Sequence, residues 1–120
     1  MPIEIEECDL WWFRELTSVL GAFADDPEHT ISRVGGGGEI AIGEDLAEDL
    51  HHYLVDCILA KYPEAAGLAI VQAAREIESA LARKSFGGEA FEEDFWSNAS
   101  FRDHPEWEAI RDRARAFLMR

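Results

Sequence analysis

Apolar residues recur at three- and four-residue intervals along most of the chain, a spacing that predicts a mainly helical protein. Leu10, Trp12, Phe13, Leu16, Val19, Leu20 and Phe23 mark a first helix that runs to about Ala24, with Asp9 as its N-cap. Asp25-Asp26-Pro27 ends it, because the residue before a proline is pushed out of the α region. A second helix is predicted over about Asp45 to Tyr62, with Leu46, Leu50, Tyr53, Leu54, Cys57 and Ile58 on one face. Pro63 suits the first turn of a third helix, from about Glu64 to Lys84, whose Leu68, Ile70, Val71, Ala74, Ile77 and Leu81 face the core. Arg83 and Lys84 complement the dipole at its last turn, and Gly87-Gly88 stops it. Trp107, Ile110, Ala114, Phe117 and Leu118 form the stripe of a fourth helix, with Asp103 or His104 as cap, Pro105 just inside its start, and Arg111, Arg113 and Arg115 on its other sides.

Two stretches depart from the helical period. Ile3-Glu4-Ile5-Glu6 alternates like a very short half-buried strand. Ile31-Ser32-Arg33-Val34 and Glu39-Ile40-Ala41-Ile42 flank Gly35-Gly36-Gly37-Gly38, and β-prone runs around a glycine turn predict a hairpin. The glycines are not followed by the Lys-Ser/Thr of a phosphate-cradling loop, and Glu39 beside them would repel a phosphate. Residues 89–103 form an acidic-aromatic connector with room for one helical turn. The expected fold is therefore mainly α (α+β): about four helices around one core, with a small β-hairpin near residues 30–42, in a single domain spanning 1–120.

The chain has 120 residues, a common size for one domain and enough for a core without metal or disulfide staples. A 48% hydrophobic composition excludes intrinsic disorder. The formal net charge of −14 disfavours duplex DNA and anionic lipid as partners, since both are recognised by clustered Lys and Arg. The charge is lopsided: residues 1–60 carry 14 acidic and two basic side chains, a net −12, and residues 61–120 carry only −2. Solubility alone needs a magnitude of about 2–8 in a small domain. An acidic proteome or an extra margin of solubility would account for some of the excess, and a cationic partner accounts for its concentration in one half.

On an ideal helix Asp45, Asp49, His52 and Asp56 share one side, with Glu48 beside them and Glu44 near the helix start. Capping explains Glu44 and Asp45 but not Asp49 or Asp56. Asp49, His52 and Asp56 are acceptable ligand types for a transition metal, but such sites recruit more than one element and a second shell, so a solvated or partner-facing surface is expected there and no metal. The same ideal projection turns Cys57 toward the apolar face and His52 away, which precludes a Cys-His nucleophilic pair. Cys8 with His29 or His104 stays open as such a pair, without a supporting motif. Cys8 and Cys57 lack metal spacing and are expected as buried thiols, with a disulfide left open if the fold brings them together. No motif with catalytic mechanics is present, so neither enzymatic activity nor a cofactor is expected. No leader-like or membrane-spanning pattern is seen, which points to the cytoplasm. In the connector, Glu92, Glu93, Asp94 and Trp96 place a large aromatic among carboxylates, as an anchor for a basic partner would. The competing expectation is that Phe91, Phe95, Trp96 and Phe101 only pin an irregular segment to the core.

The strongest functional expectation is recognition of a basic protein by this acidic surface. A small acidic domain without catalytic motifs resembles the bacterial immunity proteins that neutralise toxin domains, often nucleases. Phe95-Trp96-Ser97-Asn98-Ala99-Ser100-Phe101, followed by His104-Pro105-Glu106-Trp107-Glu108-Ala109-Ile110-Arg111, is similar to the ending of small actinobacterial helical proteins of that type. The resemblance covers about a quarter of the chain and implies a stoichiometric, cofactor-free inhibitor covering a toxin's active site or an exosite; a monomer or homodimer is expected. The alternative is a homo-oligomeric helical scaffold or regulator with Trp11 or the connector aromatics at its interface. A small hydrolase or metal binder is a third.

Overall fold

The computed structural model describes residues 4–34, 41–85 and 87–119. Six α-helices are found among them: α1 (Leu10–Ala24), α2 (Pro27–Val34), α3 (Ile42–His51), α4 (Ala69–Lys84), α5 (Asn98–Asp103) and α6 (Pro105–Leu118). Short 3-10 turns occupy Glu7–Asp9, Pro63–Gly67 and Glu93–Trp96. From His52 to Leu59 the chain of α3 continues, without a break, as a π-helix.

The long helices form where the apolar spacing predicted them. Leu16, Leu20 and Phe23 of α1, Leu46 and Leu50 of α3, Val71, Ala74 and Ile77 of α4 and Trp107, Ile110 and Ala114 of α6 meet in one core. α1 packs on α6 and α3, and α4 packs on α6 and α3. Trp107 is the hub of this core: its ring stacks on Phe95 at 4.7 Å between centroids and lies 6.2 Å from Phe23, while Phe101 meets it at 68°. The indole N–H of Trp107 donates to the Phe95 carbonyl at 2.8 Å, so the buried polar atom is satisfied. Gly43 lets α3 approach this ring, since a Cβ there would lie 2.6 Å from Trp107.

The β-hairpin is overturned at both arms. Ile31 to Val34 are the last residues of α2, Ile42 is the first of α3, and no strand occurs among the described residues. The glycine run itself lies outside those residues. Asp26-Pro27, besides ending α1, starts α2: Asp26 Oδ1 accepts the Glu28 and His29 backbone N–H groups, and proline fits the first helical position. Burial of Ile31 and Thr30 then favours the helix over the β preference of the local run. The short strand at the start is also absent in its described part, where residues 4–6 are irregular.

Other corrections concern ends and burial. α3 begins at Ile42 rather than Asp45, because Asn98 Oδ1 of α5 accepts the Ile42 N–H at 3.0 Å and caps the helix from a distant part of the chain. The predicted third helix divides into the Pro63–Gly67 turn and α4, with Leu68 extended between them. The connector holds two helical pieces, Glu93–Trp96 and α5, not one. Asp9 stands at the N-cap of α1 but makes no side-chain cap; its carboxylate accepts from Tyr62 Oη and Lys61 Nζ, both at 2.6 Å. Arg111 is buried instead of decorating α6, and it donates to the Phe101 carbonyl at 2.9 Å. Lys84 is buried as well, its ammonium held by Glu92 at 2.9 Å and Glu106 at 3.1 Å, which ties the connector and α6 to the end of α4. His104 caps α6 as expected, accepting the Glu106 N–H at 3.1 Å.

Candidate functional site

The α3 helix presents two adjacent polar stripes with different surroundings. Glu44, Glu48 and His51 lie along a groove that α3 forms with α4 and the connector, and Ala47 contributes to its floor. From α4 come Glu78, Leu81, Ala82 and Ser85, and from the connector Phe91, Glu93 and Trp96. The groove encloses about 650 Å³, and among the described residues no lysine or arginine lines it. The groove therefore joins sequence segments that were predicted as site residues separately: Glu44 and Glu48 on α3, Glu93 and Trp96 in the connector.

Glu44, Glu48 and Glu93 are exposed, and their carboxylates make no ion pair among the described residues. Glu78 is the fourth carboxylate of the groove and is spent differently, on His51 Nδ1 at 2.5 Å. That hydrogen bond, reinforced by the charges of Glu78 and Asp56, holds the His51 pKa above its ordinary value. Neither His51 nor Glu78 was singled out from the sequence. The i, i+4, i+7 spacing of Glu44, Glu48 and His51 was readable, but the arrival of Glu78 depends on how α4 packs on α3.

The second stripe carries Asp45, Asp49, His52 and Asp56, and none of them lines the groove. Partial desolvation and then the nearby carboxylates of Asp45 and Glu15 raise the Asp49 pKa. The π-helix reorganises the end of this stripe. Side chains five residues apart come together, so that His51 Nε2 lies 3.8 Å from Asp56 Oδ1 and His52 Nε2 lies 3.6 Å from Cys57 Sγ. The separation of His52 from Cys57 expected of an ideal α-helix is thus wrong. Partial burial and the charge of Asp56 push the Cys57 thiol up, which disfavours the thiolate.

In the connector, Glu92 bonds Lys84 and also His104 Nε2 at 3.0 Å, which holds its carboxyl below the ordinary range. Asp94 is exposed in the 3-10 turn. Trp96 is half-buried, with its indole N–H donating to the Lys84 carbonyl at 3.1 Å. It therefore both closes the C-terminal end of α4 and offers one side to the groove.

Cys8 is exposed and Cys57 partly buried, both as free thiols, in contrast to the expected buried pair. Cys8 neighbours Glu6 and Asp9, whereas His29 pairs with Asp25 and His104 with Glu92, so neither histidine is Cys8's partner. Glu6, Cys8 and Asp9 have the spacing of a metal-ligand set, but Lys61 Nζ already sits 2.9 Å from Glu6 and 2.6 Å from Asp9 and supplies the cation there. No helix among the described residues is long and apolar enough to cross a membrane. Compared with known proteins, the chain matches no family model, no curated protein and no solved structure.

Proposed function

We propose that this protein is a stoichiometric inhibitor that binds a basic protein, acting in the cytoplasm as an immunity protein against a cognate cationic toxin such as a nuclease. One observation carries the proposal: Glu44, Glu48 and Glu93 line one groove together with apolar Ala47, Leu81 and Ala82, and make no ion pair among the described residues, of which no lysine or arginine lines the groove. Like charges held on one rigid rim repel one another and cost stability unless a cation arrives. They also steer a basic partner into encounter and raise its on-rate at low salt. The active face of a nuclease is such a partner, because its Lys and Arg are already arranged for phosphate. An inhibitor of this kind needs neither cofactor nor catalytic group.

The test is co-expression with the product of the neighbouring gene. Rescue of growth from a toxic product by the wild-type chain, lost with Glu44→Lys plus Glu48→Lys, supports the proposal. A product that is not toxic, or a toxicity the wild-type chain leaves unchanged, overturns it. A second reading, a homo-oligomeric scaffold, draws on the exposure of Leu10 and Trp11 side by side at the start of α1. Its signature would be a dimer mass in solution that Trp11→Ser reduces to the monomer.

A further inference from the structure

We propose that the α3–α4–connector groove is a receptor for one amphipathic basic segment of the partner, with an apolar side chain on the floor and flanking Lys or Arg side chains on the rim. This rests on the inhibitor reading and adds which surface acts and what chemistry it accepts. Some acidic side chains elsewhere are neutralised from within: Glu76 pairs with Arg113, Glu28 with Arg102, and Glu89 with Arg83. Glu44, Glu48 and Glu93 have no such partner among the described residues and share one concave space. Glu44 and Glu48, one helical turn apart, form a like-charged rim, and Glu93 faces the same space from the connector. Two cationic side chains from one partner segment would satisfy such a rim.

Charge alone would not require a groove. Ala47, Leu81 and Ala82 give the groove apolar lining, and Phe91 and Trp96 add aromatic lining. Phe91 is 44% exposed and lines the groove beside Trp96. An aromatic wall beside small residues leaves space for an aliphatic or aromatic anchor, and its volume falls in the range of roughly 300–1,000 Å³ common for binding pockets. Apolar burial holds the complex while the carboxylates select its sign, which is the helix-in-groove mode of recognition.

The probe is a synthetic helix-forming peptide with leucine at i, i+3, i+4 and i+7 and lysine elsewhere, titrated into the isotope-labelled protein at about 150 mM salt to suppress unspecific attraction. The expected result is saturable shifts of the Ala47, Leu81 and Ala82 amides and of the Trp96 indole. A serine-lysine peptide of equal charge should bind roughly tenfold more weakly or less, because it buries no leucine. Ala82→Trp fills the floor from an exposed helical position and should weaken the leucine-lysine peptide by a similar factor. Glu44→Gln with Glu48→Gln should weaken it without changing the helical circular dichroism. Equal binding of the serine-lysine peptide, or unchanged binding by Ala82→Trp, overturns the proposal. So do shifts confined to the Asp45, Asp49 and Asp56 stripe. Growth rescue that persists in Ala82→Trp removes the groove and leaves the inhibitor reading standing. Peptide seated in the groove without any growth rescue does the reverse.

Discussion

His51 Nδ1 and Glu78 Oε1 lie 2.5 Å apart, a bond that joins α3 to α4 inside the candidate groove. It raises the histidine pKa above 6.5, chiefly through the hydrogen bond itself. A histidine raised by folding stabilises most below its unfolded pKa, and that contribution is lost as pH rises through the folded value. In Glu78→Gln, the NMR titration midpoint of His51 should therefore fall toward 6.5, and the stability gap to the wild type should shrink from pH 6 to pH 9. An unchanged midpoint would mean that the two side chains do not meet in solution.

Gly43 is expected to resist even alanine. A Cβ there would lie 2.6 Å from the Trp107 ring, which is 1% exposed and packed against Phe95, Phe101 and Phe23. Alanine gains up to ~1 kcal/mol of helix propensity over glycine, while overpacking a rigid core costs about 1–3 kcal/mol. Gly43→Ala should lower the urea midpoint, and Gly21→Ala, where a Cβ meets nothing within 4 Å, should not.

Asp9 fastens the start of α1 to the end of the π-helical stretch through Lys61 and Tyr62. These hydrogen bonds, that from Lys61 foremost, depress its pKa below 3.8. A depressed carboxylate contributes stability above its unfolded pKa and loses it as pH falls through the folded value. Asp9→Asn should thus be less stable than wild type at pH 7, with the difference closing at pH values below 3.8. Chemical denaturation at several pH values measures this directly.

Both cysteines should be titratable as free thiols in the native protein, with different rates. Cys8 is exposed, whereas partial burial and Asp56 hold the Cys57 thiol up. Brief iodoacetamide treatment at pH 8, read by peptide mass spectrometry, should modify Cys8 first. Faster labelling of Cys57 would show that His52 activates it.

Much of the fold was legible in the chain because packing and local preference agree there. The stripes of α1, α4 and α6, the stop at Asp25-Asp26-Pro27 and the His104-Pro105 start all follow from short-range spacing. Ile31 to Val34 misled because a β-prone run beside glycines outweighed the Asp26-Pro27 start signal that was also present. The π-helix had no sequence signature, and an assumed 100° per residue misplaced Cys57 relative to His52. Lys84 and Arg111 are buried by partners from other elements, Glu92 and Glu106 for one and the Phe101 carbonyl for the other, which no local pattern announces. The site divides in the same way. Glu44 was read as a helix-start acid and Glu48 as a neighbour of the Asp45, Asp49, His52 and Asp56 face, and their meeting with Glu78, Glu93 and Trp96 is a product of tertiary packing.

The central claim is that the acidic groove captures a basic partner, and calorimetry with the purified product of the neighbouring gene tests it most directly. The expected result is a one-to-one complex whose affinity falls by about 100-fold or more in Glu44→Lys plus Glu48→Lys, and falls with rising salt for the wild type. A complex of unchanged affinity in the double variant, with no dependence on salt, would contradict it.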